Sequence, residues 1–216
     1  MDFYTKIAKI HNTGTSRSVI VCGNIYDLFW NGSEFVPIIP YICERAKGPI
    51  QIVYELNGPL RMSDQDKDKV KNAWIKWKTG EDPNVLLAKE LKNKDGRFEK
   101  SNKEFDAYML DSIGNPTLAL EFMRQITISF RNSKTALFII IEAADMLLPE
   151  TGDLAQLNDN QLRRIAICQD WLGDPAFVNG NDTVLFLAES RSLIHNRISR
   201  LPQVMSVSVP SPDAEA

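Results

Sequence analysis

Five short apolar runs set the terms on which this chain can fold: Ser18–Cys22, Ile50–Leu56, Ala136–Ile141, Thr183–Ala188 and Val204–Val209. All are of strand length, and the first four are near-continuously apolar, where a strand with one wet face would alternate. Strands apolar at every position are covered on both faces, the condition met in the parallel sheets of α/β proteins. Gly23-Asn24 ends the first run and Asn57-Gly58-Pro59 the second, both turn signals.

Helical patterns fill the intervals. Pro37–Ala46 is a short candidate, and Ser63 with Asp66 forms a capping-box pattern that opens a segment running to Lys78, with Trp74, Ile75 and Trp77 as its apolar positions. Pro83–Lys92 follows. Asn115 is placed to cap a helix with Pro116 at its first position, leading into the run that ends at Phe130. Leu157–Phe177 predicts a further helix whose stripe is Leu162, Ile165, Ala166, Cys168 and Trp171. Within Asp27–Val36, Asn31-Gly32 suits a type I′ hairpin turn. Residues 60–114 carry no strong strand and are rich in Lys, Asp and Asn, which predicts a partly helical insertion or surface excursion with its tip near Asn93–Asn102. The strand–helix alternation predicts a three-layer α/β sandwich on a mainly parallel five-stranded sheet with right-handed crossovers.

Charge and cysteine usage exclude several functions. Lys and Arg number 25 against 28 Asp and Glu, a net charge of −3, so electrostatic capture of nucleic acid or of an anionic membrane has no support. Residues 136–216 hold 11 acidic and 5 basic side chains, all five of them Arg. The Lys-rich stretch 67–103 holds 11 basic and 6 acidic side chains and reads as a solvated face. Cys22, Cys43 and Cys168 are odd in number and far apart, each in an apolar run, and His11 and His195 are the only histidines. Neither a disulfide framework nor a metal site is expected. The N-terminus has no apolar signal core and no run approaches the ~18 apolar residues of a membrane span, which predicts a cytoplasmic protein.

Three stretches together resemble the large subdomain of an AAA+ ATPase. Ala136–Pro149 is similar to a Walker B strand with its acids, Glu142 and Asp145. Thr183–Arg200 is similar to the strand that ends in sensor 1, at Ser190 or Arg191 or at Glu189 beside them, followed by the stretch where the family carries arginine fingers, here Arg197 and Arg200. Met205–Ala214 resembles the last strand and the turn into the helical lid. The resemblance implies strand order 5-1-4-3-2, with 1–216 a single AAA+-like domain, 60–114 an insertion, and the lid and any active second module beyond the chain.

The departures decide the expected chemistry. A working phosphate loop reads G-x-x-x-x-G-K-[ST]: amides cradle phosphate, the lysine offsets its charge and the hydroxyl ligates Mg²⁺. After the first run stands Gly23-Asn24-Ile25-Tyr26-Asp27-Leu28, so Gly23 and Asn24 hold a degenerate phosphate-loop position with no lysine and an added carboxylate. The Walker B pair would be Glu142 and Ala143, and a methyl group polarises no water. The expectation is a non-hydrolysing AAA+-like module that serves assembly, protein partners or a neighbouring AAA+ subunit, to which it would present Arg197 and Arg200. No cofactor is expected. The alternatives are an active ATPase or kinase that binds ATP and Mg²⁺ through an atypical loop, and an α/β interaction module outside AAA+. Trp74 and Trp77 are expected to pack the insertion onto the sheet, and His195 to pack rather than act as a base.

Overall fold

A computed structural model of the chain describes residues 2–93 and 96–211. The N-terminal segment is a helix, α1 (Phe3–Thr13), which the sequence reading left unassigned. Asp2 caps it by accepting from the Thr5 amide at 3.0 Å, and Phe3, Ile7 and Ile10 form its buried stripe. Then come β1 (Ser18–Gly23), the hairpin strands β2 (Leu28–Trp30) and β3 (Phe35–Pro37), and α2 (Ile38–Arg45). The outer part of the sheet is β4 (Ile50–Tyr54) and β5 (Leu60–Arg61). The insertion contributes α3 (Asp64–Thr79), α4 (Pro83–Asn93) and α5 (Arg97–Asp111). Next are α6 (Pro116–Phe130), β6 (Leu137–Ile141), α7 (Ala144–Leu147), α8 (Asp159–Gly173) and α9 (Pro175–Val178). The chain closes with β7 (Thr183–Ala188), α10 (Asn196–Ser199) and β8 (Val204–Val209).

The main sheet is six-stranded, in order β5-β4-β6-β7-β1-β8. Five strands run parallel and β5 pairs antiparallel with β4 through Val53↔Arg61 and Tyr54↔Leu60. The expected count of five is corrected to six: β8-β1-β7-β6-β4 follows the expected order 5-1-4-3-2, and β5 extends it outside the second run. β5 is two residues long, too short to leave an apolar run in sequence.

Alternation through the sheet explains why the runs are apolar throughout. On β6, Leu137, Ile139 and Ile141 join one core cluster, while Phe138 and Ile140 join the other. On β7, Val184, Phe186 and Ala188 face the first and Leu185 and Leu187 the second. α3, α6 and α8 cover the first face; α1 and α2 cover the second.

Three local expectations are corrected. The hairpin turn is not type I′, which needs positive φ at both central residues: Gly32 has φ +113° but Asn31 does not. Asn31 Oδ1 instead accepts from the Ser33 and Glu34 amides at 2.9 and 3.0 Å, and a four-residue loop joins Trp30 to Phe35. The segment expected as one helix to Phe177 breaks at Asp174-Pro175, and Asp174 caps α9. Its buried stripe is Ile165, Cys168, Trp171 and Leu172, whereas Leu162 and Ala166 are exposed.

The insertion is no surface excursion. Val70, Trp74, Ile75, Leu86 and Phe105 are buried within the first core cluster. Trp74 meets Phe105 and Phe122 edge-on with centroids 5.7 and 6.4 Å apart, which joins α3 and α5 to α6. Trp74 therefore packs as expected, while Trp77 stays partly exposed beside it. Of the expected tip, Arg97–Asn102 is the first turn of α5, and Lys94 and Asp95 lie outside the described residues.

Candidate functional site

Parallel pairing brings the carboxyl ends of β1, β6 and β7 to one edge, where open α/β sheets bind ligands. Gly23, Glu142 and Glu189 leave these strands side by side, and the peptide of Glu189 links two of the candidate positions. Its carbonyl accepts from the Gly23 amide at 3.0 Å, and its amide donates to Asp145 Oδ2 at 3.0 Å. Asp145 Oδ1 also accepts from the Met146 amide at 3.0 Å. Asp145 thus ties the start of α7 to the exit of β7.

The loop after β1 is closed on itself. The Asn24 amide donates to Val209 O at 3.3 Å and the Ile25 amide to Gly23 O at 2.8 Å. With Gly23 bonded to Glu189, three successive amides point at protein carbonyls. Gly23 has φ +103°, and a Cβ there would stand 2.7 Å from Val209 O. Glycine is required here because the backbones of β1 and β8 approach so closely. The Asn24 side chain donates to the carboxylate of Asp27, which holds that acid at the loop. No helix follows directly; the chain enters the β2–β3 hairpin, with Phe29 packed against Phe3 and Tyr41 at 5.3 Å each.

Glu142 stands apart from this network. Its amide continues the sheet ladder to Tyr54 O at 2.9 Å, but its half-buried carboxylate makes no hydrogen bond or ion pair among the described residues. Burial, with the Glu55 carboxylate beside it, pushes its carboxyl above the usual range despite the nearby Arg61. Ala143, expected at the second Walker B position, takes φ +50° and ψ +45°, a left-handed conformation uncommon for a residue with a Cβ.

Three of the sensor-like and arginine-finger-like residues gather in a second place. Ser190, Arg191 and Arg200 line a polar pocket of ≈ 640 Å³ with Glu150. Ser190 Oγ caps a short 3-10 turn by accepting from the Ser192 amide at 3.3 Å. Arg191 Nε donates to Ser199 O at 3.2 Å and so pins the turn to α10. Glu150 accepts from the Gly152 and Asn196 amides at 2.9 and 2.6 Å; these bonds, with Arg200 near, hold its carboxyl below the usual range. Arg197 is exposed on α10 and does not line the pocket. His195 is buried, its Nδ1 accepting from the Arg197 amide at 3.3 Å, a capping role.

Sequence reasoning missed Glu55 and Arg61, which pair with each other and flank Glu142. Arg61 belongs to β5, so only the antiparallel pairing places it there. Among the described residues no group of three or more His, Cys, Asp or Glu side chains is arranged to hold a metal ion. Burial pushes the Cys168 thiol up to about 12, so it stays protonated in the core. No described helix is long and apolar enough to cross a membrane.

This three-layer sheet with its edge of turn and acid residues defines a Rossmann-like domain of the AAA+ kind. The chain belongs to the family of AAA+ chaperone N-terminal Rossmann-like domains, whose sequence profile matches residues 2–210. Eleven chains of solved structures match its fold. One, in the structure of the E. coli MS115-1 HORMA:CdnC:Trip13 complex, superposes with a TM-score of 0.50 at 10% identity. The match covers 97% of this chain and 62% of that one, and at such identity it speaks to the fold alone. No curated protein sequence gives a significant match.

Proposed function

We propose that this domain is a non-hydrolysing module of a larger AAA+ protein that contacts protein partners and supports a neighbouring active module, with the lid and catalytic parts elsewhere. The observation that carries this reading is the closed loop after β1. A phosphate cradle needs several amides free to point at one anion, and the amides of Gly23, Asn24 and Ile25 are all spent on protein carbonyls. Asp27 and Glu142 add negative charge where a triphosphate would lie, no lysine offsets it, and Ala143 cannot activate water. Asp145, spent on two amides, reads as a positioning residue.

Partner contact is supported by the hairpin. Leu28, Trp30 and Phe35 are each more than half exposed, and the tilted rings of Trp30 and Phe35 pack against each other, centroids 5.2 Å apart, rather than on the core. The solved neighbour belongs to a multi-protein complex, which fits a partner-binding role. In this reading Arg197 and Arg200 act in trans, since both side chains stand at the surface. Thermal unfolding with and without millimolar Mg-ATP tests the proposal. No shift is expected; a ligand that binds only the native state must stabilise it, so a rise of several degrees would overturn the reading.

A further inference from the structure

A cleft of ≈ 620 Å³, open to solvent, lies between α2, the outer strands β4 and β5, and the loop after β1. Its walls are apolar: Ile25, Ile38, Ile39 and Val53 are buried, and Met62 is half-buried. Its charged groups are nearly all engaged. Glu55 pairs with Arg61, and Asp66 accepts from Ser63 Oγ at 2.9 Å and pairs with Lys69 at 3.0 Å. The exception is Glu142, a partly desolvated carboxylate beside a second acid and without a partner. Tyr26 stands at the mouth, its hydroxyl in the field of Asp145, Glu189 and Glu142.

The net field of the cleft is therefore negative while its surface is mostly aliphatic. Pockets for small ligands enclose most of the ligand, and this cleft is open to solvent. Both features favour a chain segment over a small molecule. From this charge complementarity we infer that the cleft takes a protein segment in which a lysine or arginine stands between aliphatic residues. The cation meets Glu142, and the flanking side chains lie against Ile38, Ile39 and Met62. The inference rests on the reading above that no nucleotide occupies this edge of the sheet, and it gives the partner a chemistry.

Calorimetric titration of the acetylated, amidated peptide LVKVLG and of its glutamate counterpart LVEVLG into the domain tests this. The lysine peptide binds saturably, and the glutamate peptide at least about tenfold more weakly. Glu142→Gln, with wild-type circular dichroism and thermal midpoint, loses about tenfold for the lysine peptide. Glu142→Lys reverses the preference and takes the glutamate peptide. Equal binding of the two peptides, unchanged binding by Glu142→Gln, binding of neither peptide, or binding of butylamine as tight as the peptide would each overturn the inference. Mg-ATP titrated separately keeps the two proposals apart. Silence from both ligands removes the peptide site alone, whereas saturable ATP binding removes the reading on which it rests.

Discussion

Replacing Gly23 by alanine tests whether this glycine serves the sheet or an anion. A Cβ on Gly23 meets Val209 O at 2.7 Å, a distance real Cβ atoms essentially never show, and the atom met is backbone. Side-chain rotation gives no relief, so β8 must move away from β1 or the Asn24–Val209 bond must break. The φ of +103° adds the cost of a left-handed conformation, roughly 1–2 kcal/mol for a residue with a Cβ. With the contact included, Gly23→Ala is expected to cost about 2–4 kcal/mol. For a chain of this size that lowers the melting temperature by roughly 4–16 °C. Gly114→Ala is the control, because Gly114 has φ +71° but nothing within 4 Å of the added carbon. It carries the strain without the contact and should cost only about 1–2 kcal/mol. Urea unfolding followed by circular dichroism measures both variants. If Gly23→Ala is no less stable than Gly114→Ala, the loop can open at Gly23 and the argument for a closed edge fails.

Other expectations follow from the same contacts. Burial pushes the Asp182 carboxyl from 3.8 up to about 6, against the Leu137 amide and Arg17. Its charged form is thus disfavoured in the folded state, and stability falls as pH rises from near 4 through 6. Asp182→Asn should gain about 1–3 kcal/mol at pH 7.5 and little at pH 4 in urea titrations; equal effects at both pH values would refute this. Asp145→Ala leaves the Glu189 amide without its acceptor, while the Met146 amide keeps the Ala143 carbonyl, and should cost about 1–3 kcal/mol by thermal unfolding without altering any response to ATP. Trp74→Ala should cost about 3–5 kcal/mol and lower a single cooperative transition. A separate early transition would mean that the insertion has its own core.

The parts legible in sequence were those fixed by local chemistry. The strands showed because a sheet covered on both faces demands apolar residues at every position. The caps at Ser63 and Asn115 showed because their side chains bond amides three residues on. α1 carries only a faint signal: Phe3, Ile7 and Ile10 are spaced as one helical face, but lysines and histidine surround them. Asn31-Gly32 misled because the Asn31 side chain built a local turn of its own. The stripe of α8 was misplaced where Leu162 stands exposed at the helix start. At the candidate site, the lack of a lysine in Gly23–Leu28 and the alanine at 143 could be read directly. The approach of Gly23 to Val209, the use of Asp145 by Glu189, and the Glu55–Arg61 pair beside Glu142 join residues far apart in sequence. The parallel register brings the first two together, and the antiparallel β4–β5 pairing adds Arg61 beside Glu142.

A non-hydrolysing domain of this kind needs the amides after β1 to remain closed to phosphate. An amide NMR titration of the domain with Mg-ATP reads this directly at Gly23, Asn24 and Ile25. The expected result is no saturable shift at these three amides at millimolar nucleotide. Saturable movement centred on them, with a dissociation constant in the micromolar range, would show a working phosphate cradle and contradict the account.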